Sequence, residues 1–296
     1  MSSNFEMCIS ALKSYWKTGV RGVARSGISL EIENFDLHQI CDSGQCFRMR
    51  EIGEERFEVI AGNRFLVVKQ HENTVTFFCD EEELQGFWMD YFDLYRDYGE
   101  FIDRINPNDK YLTAAAVCGS GVRILKQDLW EMIVTFLISQ QNNIKRIRHC
   151  IDMICEKYGE KMMGFDGQNY YAFPRAEAFT GLSEDALMAC NLGYRSKYVV
   201  RTAGQVARGE IDLEAIAAMP YKKARQELLK VFGVGVKVAD CICLFALHHL
   251  EAFPVDTHIQ QVMDAHYKRG FPNQRYKDCR GVMQQYIFYY ELNGGR

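Results

Sequence analysis

From Ile28 to Glu33 polar and apolar positions alternate, with Ile28, Leu30 and Ile32 interleaved by Ser29, Glu31 and Glu33. A period of two is the signature of a half-buried strand. Similar runs follow over residues 56–60, 65–69 and 74–79. They are separated by Ala61-Gly62-Asn63 and His71-Glu72-Asn73, whose Gly and Asn tolerate the positive φ of tight turns. The pattern predicts an antiparallel meander. Asp80-Glu81-Glu82-Glu83 then opens a helix with acids at the positive end of its dipole, and the aromatic stretch 87–98 continues it. Beyond Gly119-Ser120-Gly121 the alternation stops. Asp128-Leu129-Trp130-Glu131 has the spacing of a capping box and starts an apolar helix that reaches Ile138. Further helices are predicted near 144–157, 174–190, 195–207, 211–217, 221–231, 237–249, 257–267 and 276–291, with short connections. The chain thus reads as α+β: a sheet-bearing front over residues 28–122 and an all-helical body over 123–296.

Composition adds limits rather than direction. A chain of 296 residues exceeds a typical single domain, and 48% hydrophobic with 25% charged residues is ordinary for a globular protein with a sizeable core. A net charge of −4 argues against a protein that coats DNA by neutralising many phosphates, yet allows a local basic groove. The 11 cysteines show no metal-ligand repeat: Cys241-Ile242-Cys243 is too close for a zinc knuckle, and Cys150 with Cys155 lacks a second pair. An odd number of thiols without a secretory leader points to an intracellular, reducing compartment. No apolar run has membrane-spanning length, and a monomer is expected. Residues 1–27 carry Lys13, Lys17, Arg21 and Arg25 against Glu6 and read as a basic extension rather than a targeting peptide.

The chemistry concentrates near the C-terminus. In Leu228-Leu229-Lys230-Val231-Phe232-Gly233-Val234-Gly235-Val236-Lys237 a helix ends in a Gly-X-Gly turn and another begins at once. Gly233 and Gly235 permit a tight turn and a close backbone approach, and the free N–H groups of the second helix make a seat for a phosphate. This is a helix–hairpin–helix over about 221–249, or else a plain helical hairpin. Lys237 falls in the first turn, where the dipole and partial burial disfavour the ammonium form, and a neutral amine is a nucleophile capable of a Schiff base. Asp256 follows in Phe253-Pro254-Val255-Asp256-Thr257-His258. By itself Asp256 is a helix cap, Lys237 a surface lysine and His258 a surface histidine. Together, a nucleophilic amine and a carboxylate able to stabilise a cationic sugar suit glycosidic chemistry.

With these motifs the chain resembles the helix–hairpin–helix DNA glycosylases, and among them the 8-oxoguanine DNA glycosylase/lyase family, from about residue 28 to 290. The resemblance implies a TBP-like antiparallel front domain. It further implies that Lys237 attacks the anomeric carbon, that Asp256 supports the oxocarbenium-like transition state, and that His258 lies near the lesion-strand backbone. Ser43-Gly44-Gln45-Cys46-Phe47-Arg48 is similar to the family loop in which a glycine carbonyl, here that of Gly44, accepts from the ring N–H peculiar to oxidised guanine. Ser139-Gln140-Gln141-Asn142-Asn143-Ile144-Lys145-Arg146 resembles the stretch that fills the duplex gap and reads the orphaned cytosine. Tyr194 and Arg195 of Leu192-Gly193-Tyr194-Arg195 match a wedge and a base-reading arginine. Gln284 and Phe288 match the glutamine that binds the lesion's pairing edge and the phenylalanine that stacks on it; they are four apart, hence on one helix face. Cys241, one turn beyond Lys237, matches the residue on the lesion's other side, whereas Cys243 and Phe245 read as core.

The implied activity is excision of 8-oxoguanine from duplex DNA followed by strand nicking. No cofactor is required, and a structural cation shared by hairpin carbonyls and a phosphate is compatible with the turn. Three departures stand out. Phe232 replaces a proline common before the hairpin, Gln141 replaces an asparagine, and Thr257 stands where animal relatives have valine. Glycosylases carrying an iron–sulfur cluster are excluded, since only Cys279 follows Asp256. Alkylated-base glycosylases lack a lysine at the Lys237 position, and a non-catalytic DNA-binding hairpin would not need the pair Lys237 and Asp256.

Overall fold

The computed structural model describes residues 27–165 and 167–294; apart from Gly27, the predicted basic extension lies outside the described residues. Five strands, β1 (Ile28–Glu31), β2 (Met49–Gly53), β3 (Arg56–Ala61), β4 (Arg64–His71) and β5 (Thr74–Phe77), form one sheet in the order β1-β5-β4-β3-β2. All neighbouring pairs are antiparallel. β2 to β5 make the meander, and β1 closes against β5 with Ile28 opposite Phe77 and Leu30 opposite Val75. Phe57, Val59, Val75 and Phe77 point inward and pack with Leu37, Ile40, Trp88 and Phe92 in one core. Leu37 and Ile40 belong to α1 (Leu37–Asp42), which is capped by Asp36 accepting from the Gln39 N–H at 2.9 Å.

Two features of this front differ from the expected pattern. β2 was not anticipated, because as an edge strand it buries only Met49 and shows no alternation. The helix expected through residue 98 ends earlier: α2 runs as Glu81–Glu83, a π-helical segment Leu84–Trp88, and Met89–Tyr91. The π segment shifts the angular position of each later aromatic, so Trp88 and Phe92 reach the same core while the chain turns away.

α3 (Gly99–Asp103) and α4 (Lys110–Cys118) follow, then the helical body: α5 (Leu129–Ser139), α6 (Ile144–Tyr158), α7 (Glu184–Met188), α8 (Ser196–Ala207), α9 (Leu213–Ala217), α10 (Tyr221–Leu228), α11 (Val236–Phe245), α12 (Thr257–His266) and α13 (Arg280–Asn293). A small hairpin of β6 (Lys161–Met163) and β7 (Asn169–Tyr171) interrupts them. The single helix expected over 174–190 is instead a 3-10 turn, Ala176–Phe179, and α7, separated by Gly181 at φ +81°. α5 is the body's axis. Asp128 caps it by accepting from the Glu131 N–H at 2.8 Å, and every side chain from Trp130 to Ile138 is buried. Leu112, Ala115 and Ala116 of α4 join Met283, Tyr286 and Ile287 of α13 and the hairpin helices in one core, so part of the front segment is built into the helical body. The fold is α+β, an antiparallel sheet followed by a helical body.

Candidate active site

α5, α11, α12 and α13 converge on a cleft of about 1270 Å³ that opens between the sheet-bearing front and the hairpin. Gly44, Gln141, Asn142, Asn143, Lys237, Asp256, His258 and Phe288 all line it, joined by Phe47 and Phe136. Residues far apart in sequence thus share one wall.

Lys237 stands in the first turn of α11, whose preceding residue Gly235 is extended at φ −92° and ψ 179°. It is half-buried. Its Nζ lies 5.5 Å from the centroid of the Phe136 ring, within cation–π range. Phe136 in turn stacks on Phe245 at 5.6 Å. Cys241 lies one turn on, 3% exposed; burial pushes its thiol up, while the charge of Lys237 and a hydrogen bond with it pull the other way. Asp256 caps α12 through Oδ1, which accepts from the Ile259 N–H at 2.8 Å. That bond fixes the carboxylate at the cleft, which Asp256 lines.

The Gly44 loop is held from behind. Gln45 is fully buried; its Nε2 donates to Ser43 Oγ and to the Arg123 carbonyl, both at 2.8 Å, and its Oε1 accepts from the Leu125 N–H at 2.8 Å. Arg48 is 4% exposed and donates to Glu131 of α5, to the Gly62 carbonyl and to the Tyr171 carbonyl. Gly44 adopts φ +72°, and a Cβ there would stand 2.8 Å from Phe288 Cε1. Phe288 therefore rests directly on the Gly44 backbone. Gln284 and Cys241, each 3% exposed, are buried and do not line the open cleft; Gln284 Oε1 accepts from Gln285 Nε2 at 3.1 Å. His258 is half-buried, its ring edge-on to Phe288 at 6.4 Å.

The gap-loop residues divide into holders and presenters. Asn142 Nδ2 donates to the Ile138 carbonyl at 3.1 Å, and Asn143 caps α6 by accepting from the Arg146 N–H at 2.9 Å. Gln141, at φ +46°, is exposed, as is Arg146, whose Nη2 donates to the Asn191 carbonyl at 3.2 Å. Tyr194 is 48% exposed, while Arg195 beside it is only 3% exposed. Arg195 faces the loop's own backbone: Nε and Nη2 donate to the Gln140 carbonyl at 2.8 and 2.5 Å, Nη2 also to the Gln141 carbonyl at 2.8 Å, and Nη1 to the Leu192 carbonyl at 3.3 Å. The expectation from resemblance was a base-reading guanidinium; most of its five N–H donors are engaged within the protein.

At the hairpin, Gly233 has φ +89°, and a Cβ on it would meet the Tyr198 ring at 2.7 Å. Gly235 is exposed, so the first N–H groups of α11, which have no intrahelical acceptor, face outward. Asp240 is structural: it accepts from Tyr221 and Arg225 of α10 at 2.8 and 2.6 Å. Among the described residues no group of three or more His, Cys, Asp or Glu is placed to hold a metal ion. Gln45, Arg48 and Gln140 fall within the two matching stretches, which assign them no holding role, and Tyr198 is missed, although it stands four residues beyond Tyr194.

A cleft with a lysine and a carboxylate beside an outward-facing hairpin defines a base-excision glycosylase of the helix–hairpin–helix class. Residues 27–133 match the family described as 8-oxoguanine DNA glycosylase, N-terminal domain, and residues 134–278 match the HhH-GPD superfamily of base excision DNA repair proteins. The structure is similar to the apo form of the Clostridium acetobutylicum 8-oxoguanine glycosylase/lyase, with a TM-score of 0.84 at 36% identity, covering 90% of this chain and 97% of that one. The same bacterium's enzyme in complex with double-stranded DNA containing cytosine opposite 8-oxoguanine gives 0.86 at 34%, covering 94% and 99%. A probable N-glycosylase/DNA lyase of Methanothermobacter thermautotrophicus is 30% identical over 230 residues, 69% of this chain and 72% of that protein. The chain belongs to the 8-oxoguanine DNA glycosylase/lyase family, and is a bifunctional repair enzyme with glycosylase and strand-nicking activities.

Proposed function

We propose that Lys237 is the nucleophile for both activities and that Asp256 stabilises the positive charge that develops on the sugar as the base departs. The observation that carries this reading is that Lys237, Asp256, Gly44 and Phe288 line one cleft next to the hairpin. A duplex seated on the hairpin N–H groups delivers one nucleotide into the cleft, extruded from the stack. Entry of the base requires Phe288 to swing off Gly44, opening the slot bounded by the Gly44 carbonyl, Gln284 and Cys241. The neutral Lys237 amine then attacks C1′ as the C1′–N9 bond breaks and the base leaves with a proton. Asp256 offsets the positive charge that builds on the ring. Opening of the sugar gives an imine between Lys237 and C1′; loss of a C2′ proton expels the 3′ phosphate and cuts the strand.

On the opposite strand, Gln141 and Arg146 are the exposed groups placed to meet an orphaned cytosine, with Tyr194 as the wedge and Arg195 supporting the loop behind them. His258 serves the lesion-strand backbone. A cation shared by hairpin carbonyls and a phosphate would be structural. The enzyme acts as a monomer in a reducing compartment, the compartment being supported by the odd number of cysteines and by the free state of all ten described ones.

The test uses duplexes carrying 8-oxoguanine opposite each of the four bases, scoring base loss and nicking separately, with borohydride trapping alongside. Wild type should excise best opposite cytosine and yield a trapped adduct. Lys237→Gln should lose excision, nicking and trapping while binding lesion duplex as wild type does. An adduct trapped by Lys237→Gln would remove Lys237 from the chemistry.

A further inference from the structure

The hairpin and the gap loop are physically joined, and the joint is Gln140. This residue ends α5 with φ −61° and ψ 124°. Its side-chain Nε2 donates to the Gly233 carbonyl at 3.0 Å, across 93 residues of sequence, and to the Leu137 carbonyl at 3.4 Å. Its own carbonyl accepts from Arg195 through Nε and Nη2, and from the Tyr194 hydroxyl at 3.4 Å. One residue therefore touches the hairpin turn, the arginine behind the gap loop and the wedge.

A second contact runs parallel to it. Tyr198 lies under Gly233, close enough that a Cβ there would meet its ring at 2.7 Å. The same ring is edge-on to Tyr194 at 5.9 Å and to Phe232 at 5.4 Å. The turn glycine is thus fixed on its carbonyl by Gln140 and on its α-carbon by Tyr198. Arg195 completes the arrangement by holding the carbonyls of Gln140 and Gln141 together. That pins Gln141 at φ +46°, a conformation L side chains seldom adopt, and turns the loop toward the cleft.

We propose that Gln140 is a positioning residue that couples the hairpin to the gap loop, so that seating a phosphate and filling the gap left by an extruded base are one event. The coupling rests on the reading that the hairpin seats a phosphate and the loop fills the gap. A rotation of the Gly233 peptide when a phosphate docks on the turn is transmitted through a single hydrogen bond to the residue whose carbonyl orients Arg195. Undamaged duplex, which leaves no gap, engages the hairpin without needing the loop. Loss of the bond should then spare undamaged binding and weaken only the response to an extruded site.

Two full-length variants test this, with affinity measured for an undamaged duplex and for the same duplex carrying a tetrahydrofuran abasic analogue opposite cytosine. Gln140→Met keeps the length and removes the donor; Gln140→Glu keeps the shape and sets an oxygen against the Gly233 carbonyl. For Gln140→Met the undamaged affinity should stay within about twofold, while the preference for the abasic duplex falls about threefold to tenfold, the range one net hydrogen bond spans. The excision ratio for 8-oxoguanine opposite cytosine against adenine should fall with it. For Gln140→Glu the deficit relative to wild type should shrink as pH drops through the ordinary glutamate range, from about 6 toward 4, because a protonated carboxyl donates to Gly233 again; this readout also serves if Gln140→Met does not fold. The coupling is overturned by wild-type preferences in both variants, by equal losses on both duplexes, or by a Gln140→Glu deficit that ignores pH. If wild type itself shows no preference for the abasic duplex, it is the assignment of hairpin and loop to DNA that fails.

Discussion

Asp256 has an observed duty as a helix cap and a proposed one in catalysis, and one substitution can separate them. Its Oδ1 caps α12 by accepting from the Ile259 N–H at 2.8 Å, and its carboxylate charge lies in the same cleft as Lys237. Asparagine caps a helix about as well as aspartate, whereas alanine costs about 1 kcal/mol. Asp256→Asn should therefore leave Tm within about 2 °C, after a loss of about 0.3–1 kcal/mol in helix-dipole interaction. Asp256→Ala should lower it by about 2–4 °C. The chemistry should follow charge instead. Removing a preorganised electrostatic group from a transition state costs about 10²–10³ in rate, so both variants should slow single-turnover excision of 8-oxoguanine by that factor. The assay is base loss with enzyme in excess over a duplex carrying 8-oxoguanine opposite cytosine, run beside thermal unfolding. If Asp256→Asn excises within a few fold of wild type while Asp256→Ala is slow, the residue acts through the cap and the electrostatic argument is wrong.

Two further outcomes follow from the packing and the charges. Gly44→Ala should slow excision at least about tenfold, because the φ of +72° and the 2.8 Å approach to Phe288 together cost about 1–2 kcal/mol of local strain and displace the aromatic wall; unchanged single-turnover rates would remove this loop from the lesion pocket. Burial by itself would raise the Asp93 carboxyl, but a hydrogen bond from His248 and the charges of Arg96 and Lys126 outweigh it and hold Asp93 below the usual carboxylate range. A depressed carboxyl stabilises the fold above its unfolded value, and that contribution is lost as pH falls through the folded one. Asp93→Asn should accordingly lower Tm at pH 7, with the difference from wild type closing below about pH 4; a deficit equal at pH 7 and pH 3 would contradict this.

The sequence was most legible where one periodicity ran undisturbed. β1, β3 and β5 alternate cleanly, and the helix from Leu129 announces itself through Asp128 and an apolar run. It was least legible where tertiary packing overrides local pattern. β2 holds its place at the sheet edge through pairing with β3 while exposing Arg50, Glu51 and Ile52. α4 is short and alanine-rich, and its apolar face is covered by α13, far away in sequence. No local window contains that partner.

The same distinction governs the site. Residues proposed for the chemistry stand out in the sequence because the chemistry restricts residue type: an amine for the imine, a carboxylate for the sugar cation, glycine where a backbone must turn at positive φ. Residues that hold those groups in place are restricted only by geometry, and geometry is not written along the chain. Gln45 could be read as one more polar residue in a loop, yet it is fully buried and satisfies both the Arg123 carbonyl and the Leu125 N–H, fastening the Gly44 loop to the strand-like segment leading into α5. Arg195 shows how little a motif says about environment: the Leu192-Gly193-Tyr194-Arg195 match implies a base-reading group, and without DNA its side chain is 3% exposed and donates to three carbonyls. A guanidinium so engaged reads a base only with the donor left over. On the proposed reading, discrimination at the orphan position would then depend on how rigidly Gln140 and Arg195 present Gln141 and its neighbours, as well as on what those neighbours touch.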